Sequence, residues 1–514
     1  MRTIKKAIDF CHSIFDLDNA YSKVSVNLVM SLASNQTSRS IVGLSENPLF
    51  EHHYSSISQA IKTFGSKYSK VGFEQVMQKL YMSFFPKQDS YLLVTDGSPL
   101  ERPFSPCLSE QQYVKVPNNV VPSNKSLSIG YNYSYVNVGY APEVSQGGAR
   151  WSLPLSVNRI KVQSDAIETA LVQLKSLMEN ADLPFKLSKL VRHASDNGYT
   201  TPRFLSPLVG AYDNMVLNTR FRNSQKVWKQ VQNTTNIDKN DKQSLKGAKS
   251  VYSKETYYLI GASDSKTTTN GKTKESTTKQ RTSIYDITPD ETYEFLGETS
   301  RKKRKIISKI SVWNNMMIRT KAGHNMKDKP FTLIAVQVID AQTGELVFQR
   351  PMFTGIFGKK RDQISAELAV KDYRERYDIE PHNRFGKQQL LLDKYQTPDV
   401  AHLDNWTLIV ACAYWLLFVA SDEVKTIVKP WEKYLSIHKE QKQAEQSKQQ
   451  TPKKSIAQVK KAALSLFYTF NRKPFSPKSV NNGKGRKKGN KQKPRTKHRV
   501  LRKSDFTNKT RKNE

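Results

Sequence analysis

The chain has 514 residues, 37% of them apolar, and a formal net charge of +36 from 82 basic and 46 acidic side chains. It is long enough to bury a substantial core, and length alone predicts about two to four domains of a large soluble protein. So large a positive excess points to a polyanionic partner. Nucleic acid stands well ahead of an anionic membrane surface, because Lys and Arg are spread along the chain and not gathered in one amphipathic helix.

The three cysteines, Cys11, Cys107 and Cys412, are far apart and odd in number, which excludes a CxxC zinc module and fits a reducing compartment. The opening MRTIKKAIDFCHSIFD is interrupted by Asp9 and Asp16, so no export signal is expected. Residues 1–85 read as a helical N-terminal domain, with a DNA-binding role open to it, since ISQAIKTFGSKY and FEQVMQKLYMSFF carry apolar residues at helical spacing. The pair His52-His53 has no third ligand nearby and reads as a surface or capping feature.

From Ser90 the texture changes. YLLVTD is a short apolar run closed by Asp96 and then by the turn residues Gly97, Ser98 and Pro99. Two strand-like runs follow at about 126–140 and 150–160, then a helix over DAIETALVQLKSLMEN, a strand ending near Asp196, a helix from about Thr201, and a strand at about 214–221. Alternating strands and helices predict an α/β domain over 86–221. Residues 222–356 break the pattern and read as a β-rich insertion. KIISKISVW, FTLIAVQVID and ELVFQR there are β-type, while NIDKNDKQSLKGAKS and DSKTTTNGKTKESTTKQ are loop-like. Helical texture returns in 357–438, as the second part of the same α/β core. Its apolar run WTLIVACAYWLLFVA, about 15 residues, is short of the roughly 20 that span a bilayer and is expected to lie buried against a sheet.

The tail, 439–514, is low in complexity and reads as disordered. Between Asn471 and Glu514 it holds 17 Lys/Arg against 2 acids, with Arg486, Lys487 and Lys488 the densest nucleic-acid-binding candidates.

Singly, acids at strand ends are most simply caps. Together, Asp96, Asp196 and Glu380 are three hard oxygen donors from separate elements of one core in a very basic chain, a set suited to two Mg²⁺ ions acting on a phosphodiester. Glu380 lies in YRERYDIEPHNRFGK, where Tyr373, Arg376, Glu380 and Lys387 stand at offsets 0, 3, 7 and 14 and would share one helical stripe. Such a stripe faces either solvent, with Arg376 and Glu380 as an ordinary i, i+4 pair, or a charged ligand. Pro381 directly after Glu380 predicts a kink there, which loosens the alignment of Lys387. Trp151, Trp228 and Trp313 could stack on an extruded base, but packing is the first reading of each; His193 reads as a hydrogen-bonded strand residue before a proton shuttle.

The spacing Y-x2-R-x3-E-x6-K, with VTDGSPLERP and SDNGYTTPRFL upstream in that order and a β-rich insertion between the second Asp and the Glu, resembles the DDE transposases of bacterial insertion sequences, over roughly residues 45–430. The resemblance implies an RNase H-like catalytic core interrupted by the insertion, with Asp96, Asp196 and Glu380 as catalytic ligands of two Mg²⁺ ions, Mn²⁺ being a possible substitute. It also implies that Tyr373, Arg376 and Lys387 contact DNA near a transposon end. The expected activity is cleavage at terminal inverted repeats and transfer of the 3′ hydroxyl ends to target double-stranded DNA. A homodimer would act on paired ends in the bacterial cytoplasm at the nucleoid, with no membrane and no small-molecule substrate. The competing readings are an RNase H-like nuclease without strand transfer and a catalytically inactive basic nucleic-acid-binding protein.

Deleting residues 471–514 is expected to weaken DNA binding generally, and to flatten the slope of log affinity against log salt by about 0.9 for each phosphate that is no longer neutralised. Titrations of end-bearing and random duplexes at several salt concentrations measure this. Loss of end preference with an unchanged slope would place sequence recognition in the tail instead.

Overall fold

A computed structural model describes residues 4–17, 21–116, 126–142, 148–186, 189–231, 252–253, 255–259, 282–298, 304–320, 324–424, 454–468 and 494–506. The two loop-like stretches at 236–250 and 264–280 lie outside the described residues. The helices are α1 (Ile4–Leu17), α2 (Ser22–Ser34), α3 (Tyr54–Thr63), α4 (Lys70–Phe84), α5 (Ala166–Glu179), α6 (Pro202–Leu205), α7 (Ala366–Glu375), α8 (Ile379–Gln389), α9 (Val400–Ala420) and α10 (Ile456–Tyr468). The strands are β1 (Ser90–Glu101), β2 (Gln112–Lys115), β3 (Leu127–Tyr140), β4 (Trp151–Ile160), β5 (Leu190–Ser195), β6 (Met215–Phe221), β7 (Lys226–Lys229), β8 (Tyr257–Tyr258), β9 (Glu291–Glu298), β10 (Lys305–Met317), β11 (Phe331–Asp340) and β12 (Met352–Phe357). The α/β class expected from the sequence holds. The chain divides into two compact units, one of 1–88, 96–186 and 377–514, the other of 89–95 and 187–376, so β1 gives its first half to the second unit and its second half to the first.

The first unit is built around α9. A helix that is apolar on every side has no face for water and must be covered all round. Helices α1, α2, α3 and α10 and strand β4 supply that cover. At 21 residues α9 is longer than the apolar run suggested and could cross a bilayer by length, yet it is almost wholly buried within the protein. Tyr81 stacks on Trp415 with ring centroids 4.8 Å apart, and the Trp415 indole N–H donates to the Pro154 carbonyl at 2.7 Å. The N-terminal helices therefore do not form a domain by themselves, as read from sequence, because the surface they bury belongs to residues 400–420. On the sheet side, β2, β3 and β4 pair antiparallel in sequence order, α5 covers β3 and β4, and β3 also pairs with the second half of β1. That last pairing is close: a Cβ on Gly130 would meet the Leu100 carbonyl at 2.1 Å, so the strand must carry glycine there.

Two parts of the tail correct the expectation of disorder. Helix α10 packs on α2 and α9, its Val459, Ala463 and Phe467 buried. Residues 494–506 lie along the loop before β2: the His498 and Leu501 amides donate to the Pro106 and Gln111 carbonyls at 2.8 and 2.7 Å, and Arg502 lies over the Tyr113 ring. The Lys- and Gln-rich flanks masked a helical stripe that only a folded partner makes worth burying.

In the second unit β5 runs parallel to β1 and β6, and β12, β11 and β10 continue antiparallel from β6, with β9 and then β7 along the far side of β10. Residues 226–357 contribute β7 to β12, which extend the α/β strands. Helix α7 covers one face through Val216, Ile310, Ile334, Ile356, Ala369 and Val370. Polar pins fix it: Asn218 donates to the Ala369 carbonyl at 2.7 Å, and Arg192 pairs with buried Asp372 at 2.6 Å. The opposite face carries the stacked rings of Phe221, Phe331 and Phe357.

A Cβ on Gly355 would stand 2.2 Å from the Phe221 ring. Gly355→Ala is expected to destabilise the second unit by about 1–3 kcal/mol, the usual cost of overpacking a filled core. Denaturant unfolding measures it, and an unchanged midpoint would mean that the rings are free to shift.

Candidate active site

The parallel ladder of β1 and β5 is in register from Ser90↔Leu190 to Thr95↔Ser195, and the residue after each member of the last pair is an aspartate. Asp96 lies inside β1, which runs on to Glu101, and falls in the first unit, whereas Asp196 directly follows β5 and falls in the second. Both are half-buried. One Asp96 oxygen accepts the Gly97 amide at 2.8 Å. One Asp196 oxygen accepts the Asn197 amide at 2.6 Å, capping the short 3₁₀ turn Asn197–Tyr199.

Within this ladder, Thr95 and His193 share a buried hydrogen bond of 2.8 Å between Oγ1 and Nε2. Burial lowers the His193 imidazole to about 3, so it stays neutral and has no route to solvent as a proton shuttle; the hydrogen-bonded strand residue read from sequence is what the fold contains. Strand alternation puts Thr95, His193 and Ser195 on one face, and Arg192 and Arg220 on the other, which α7 covers. Arg220 lies 3.4 Å from the Tyr373 hydroxyl, and the Arg376 guanidinium lies 5.3 Å from the Tyr373 ring centre. Arg192, Arg220 and Asp372 were missed in the sequence, where their only signal was strand alternation in LVRHAS and MVLNTRF and a helical offset in KDYR.

The signature segment is not one exposed stripe. Tyr373 is fully buried and Arg376 is 4% exposed, whereas Glu380 is exposed. A 3₁₀ turn over Arg376–Asp378 separates α7 from α8, so the break precedes Glu380 instead of following it at Pro381. Pro381 stands third in α8, where no intrahelical donor is lost. Lys387 donates to the Pro99 carbonyl at 2.6 Å, and burial lowers the pKa of its ammonium. Tyr373, Arg376 and Lys387 are therefore engaged inside their own units. Trp151 and Trp313 are core residues, as first read, the Trp313 indole donating to the Ile287 carbonyl at 3.1 Å. Trp228 sits on β7, half-buried and 6.3 Å from the Tyr252 ring. His53 caps α3, accepting the Ser55 amide. Arg486, Lys487 and Lys488 lie outside the described residues.

For a hard divalent cation, the Asp96 and Asp196 carboxylates offer the right donor type. Glu380 is not gathered with them: among the described residues no group of three or more His, Cys, Asp or Glu side chains is placed to hold a metal ion. The donor chemistry fits in part, and the third ligand is not assembled.

Burial disfavours the protonated form of His193, so acid should destabilise the protein by way of this residue. The unfolded imidazole takes up its proton as pH falls through about 6.5, while the native one does so only near 3. Stability is therefore expected to fall by about 1.4 kcal/mol per pH unit below 6.5 on this account. His382, buried between the Tyr135 and Tyr414 rings and lowered to about 4, adds a like contribution. His193→Gln should remove its own share of that slope in denaturant unfolding at pH 7 and pH 5; an identical slope would mean that His193 is protonated in the native state.

No protein-family model matches the chain, and no curated protein matches it. Among solved structures it is similar to piggyBac transposase in a cryo-EM synaptic complex with hairpin DNA, at 9% identity over 92% of this chain and 79% of that chain, with a TM-score of 0.37. A superposition of that quality transfers neither residues nor activity.

Proposed function

We propose that this chain is a DDE-type DNA transposase of the cut-and-paste kind from a bacterial insertion sequence, acting on double-stranded DNA at the nucleoid. The observation that carries the reading is the parallel, in-register ladder of β1 and β5 up to Thr95↔Ser195, with an aspartate next in sequence after each residue of that last pair, in a chain that also holds the Y-x2-R-x3-E-x6-K spacing. An RNase H-like core is supported by strand order and direction. In the first unit β4, β3 and β1 are neighbours in that order; in the second, β1 is followed by parallel β5 and β6. The net charge of +36 supports a phosphate-rich substrate.

In this reading Asp96, Asp196 and Glu380 hold two Mg²⁺ ions, with Mn²⁺ as a substitute. When bound, the ions supply an activated attacking oxygen and charge neutralisation at the leaving one. The protein's own part is to supply these three carboxylates and to bind the ends. Tyr373, Arg376 and Lys387 would reach DNA only after leaving the partners described above, so they belong to the DNA-bound state. Two ends must be joined in one event, which calls for a homodimer. A second reading, a basic nucleic-acid-binding protein without catalysis, is favoured by Asp196 serving as a helix cap and by the ungathered Glu380.

The test uses a duplex carrying the DNA that flanks the gene, with Mg²⁺ or Mn²⁺. Asp196→Asn and Glu380→Gln are expected to lower cleavage by about 100-fold or more, a loss of several kcal/mol in the transition state, while binding of the duplex persists. Near-normal cutting by Glu380→Gln would leave the second reading standing, and cut products that are never joined to target DNA would make the protein a nuclease.

A further inference from the structure

The first unit contains a groove of about 670 Å³ between α8 and α10, with the start of β4 at its end. Its volume lies in the range of specific ligand sites. Its charge is one-sided: Arg150, Arg384, Lys460 and Lys461 line it against one acid, Asp378, which Arg150 already pairs at 3.1 Å. Arg384 and Lys461 are exposed on facing helices, while Lys460 is buried at the base. The Lys460 ammonium donates to the backbone and side-chain oxygens of Gln389 at 2.6 and 3.1 Å and lies 5.7 Å from the Phe385 ring centre. These partners hold the cation in place without neutralising it. Burial alone lowers it to about 8, so it is still largely charged at pH 7. The Phe385 and Tyr414 rings supply apolar wall. Cations on the two bordering helices, a fixed cation at the base and aromatic walls are the elements of a site for an unpaired nucleic-acid strand, whose phosphates are neutralised while a base is sheltered from water.

We propose that this groove binds one or two nucleotides of an unpaired strand, its phosphates held by Arg384, Lys460 and Lys461. The proposal rests on the reading of nucleic acid as the substrate, and it adds a binding surface that α10, hidden in the low-complexity tail, brings to α8. Arg384 is also one helical turn beyond Glu380, so a strand seated here would run along the helix that carries the proposed third ligand.

The test is fluorescence anisotropy on the full-length chain with a labelled single-stranded oligonucleotide and a duplex of the same sequence, at three salt concentrations and without divalent metal. R384E/K461E changes two exposed side chains and should leave folding intact. Single-strand affinity is expected to fall at least 10-fold and its salt slope to flatten by about 1.4, two phosphates at about 0.7 each, with duplex binding changed less. K5E/K6E removes the same charge from exposed positions on α1 and should have little effect. Unchanged single-strand affinity in R384E/K461E, an equal loss on duplex, or an equal loss in K5E/K6E would each overturn the site. Single-strand binding that depends on the groove in a protein that cuts nothing would keep this proposal and sink the transposase reading.

Discussion

The pairing of Thr95 with Ser195 is the constraint on which the candidate site depends. Parallel strands in register present equivalent positions on the same face, and a slip of one residue would send Thr95 and Ser195 to opposite faces. What holds the register is chemical as well as steric. The Thr95 hydroxyl bonds the His193 imidazole inside the core, and a neutral histidine there tolerates no shift that leaves the hydroxyl without it. On the other face, the ion pair of Arg192 with Asp372 locks β5 to α7. Burial pushes the Asp372 carboxyl up to about 7 against the pull of Arg192, so this pair orients the helix more than it stabilises the fold.

The first unit has a different organising demand. Helix α9 carries no polar stripe, and its one acidic side chain in the second turn, Asp404, is satisfied by Arg159 at 3.1 Å and by the Tyr133 hydroxyl at 2.8 Å. Everything else on the helix has to be enclosed. That demand draws the N-terminal helices and α10 into one core with β4, although they lie hundreds of residues apart. Distance along the chain therefore misleads about domains here: the helix that needs covering is near the end, and most of its cover comes from the beginning.

Much of the architecture was legible because it is periodic. The apolar run YLLVTD and the β-type runs MVLNTRF and FTLIAVQVID marked strands, and the strand end before Asp196 followed from Asn197-Gly198; the turn expected at Gly97, Ser98 and Pro99 is absent, because β1 continues through them to Glu101 and pairs there with β3. The signature segment was less legible. Its four positions fit one face of an ideal helix, but a 3₁₀ turn at Arg376–Asp378 rotates the later residues away from the earlier ones, and Tyr373 and Arg376 are drawn inward by packing against β6 and against each other. A helical offset says which side chains could share a face, not whether that face meets water.

The amino-acid order by itself determined most strands and helices, their sequence, the placement of Asp196 at a strand end and the basic character of the chain, since these follow from local propensity, period and composition. Only the tertiary structure decided the register of Thr95 against Ser195, the burial of Tyr373 and Arg376, the capture of Lys387 by the Pro99 carbonyl, and the return of α10 to line a groove with α8. Each of these joins residues far apart in the chain. Such pairings are chosen by the free energy of the whole packed unit, which no short window of sequence contains.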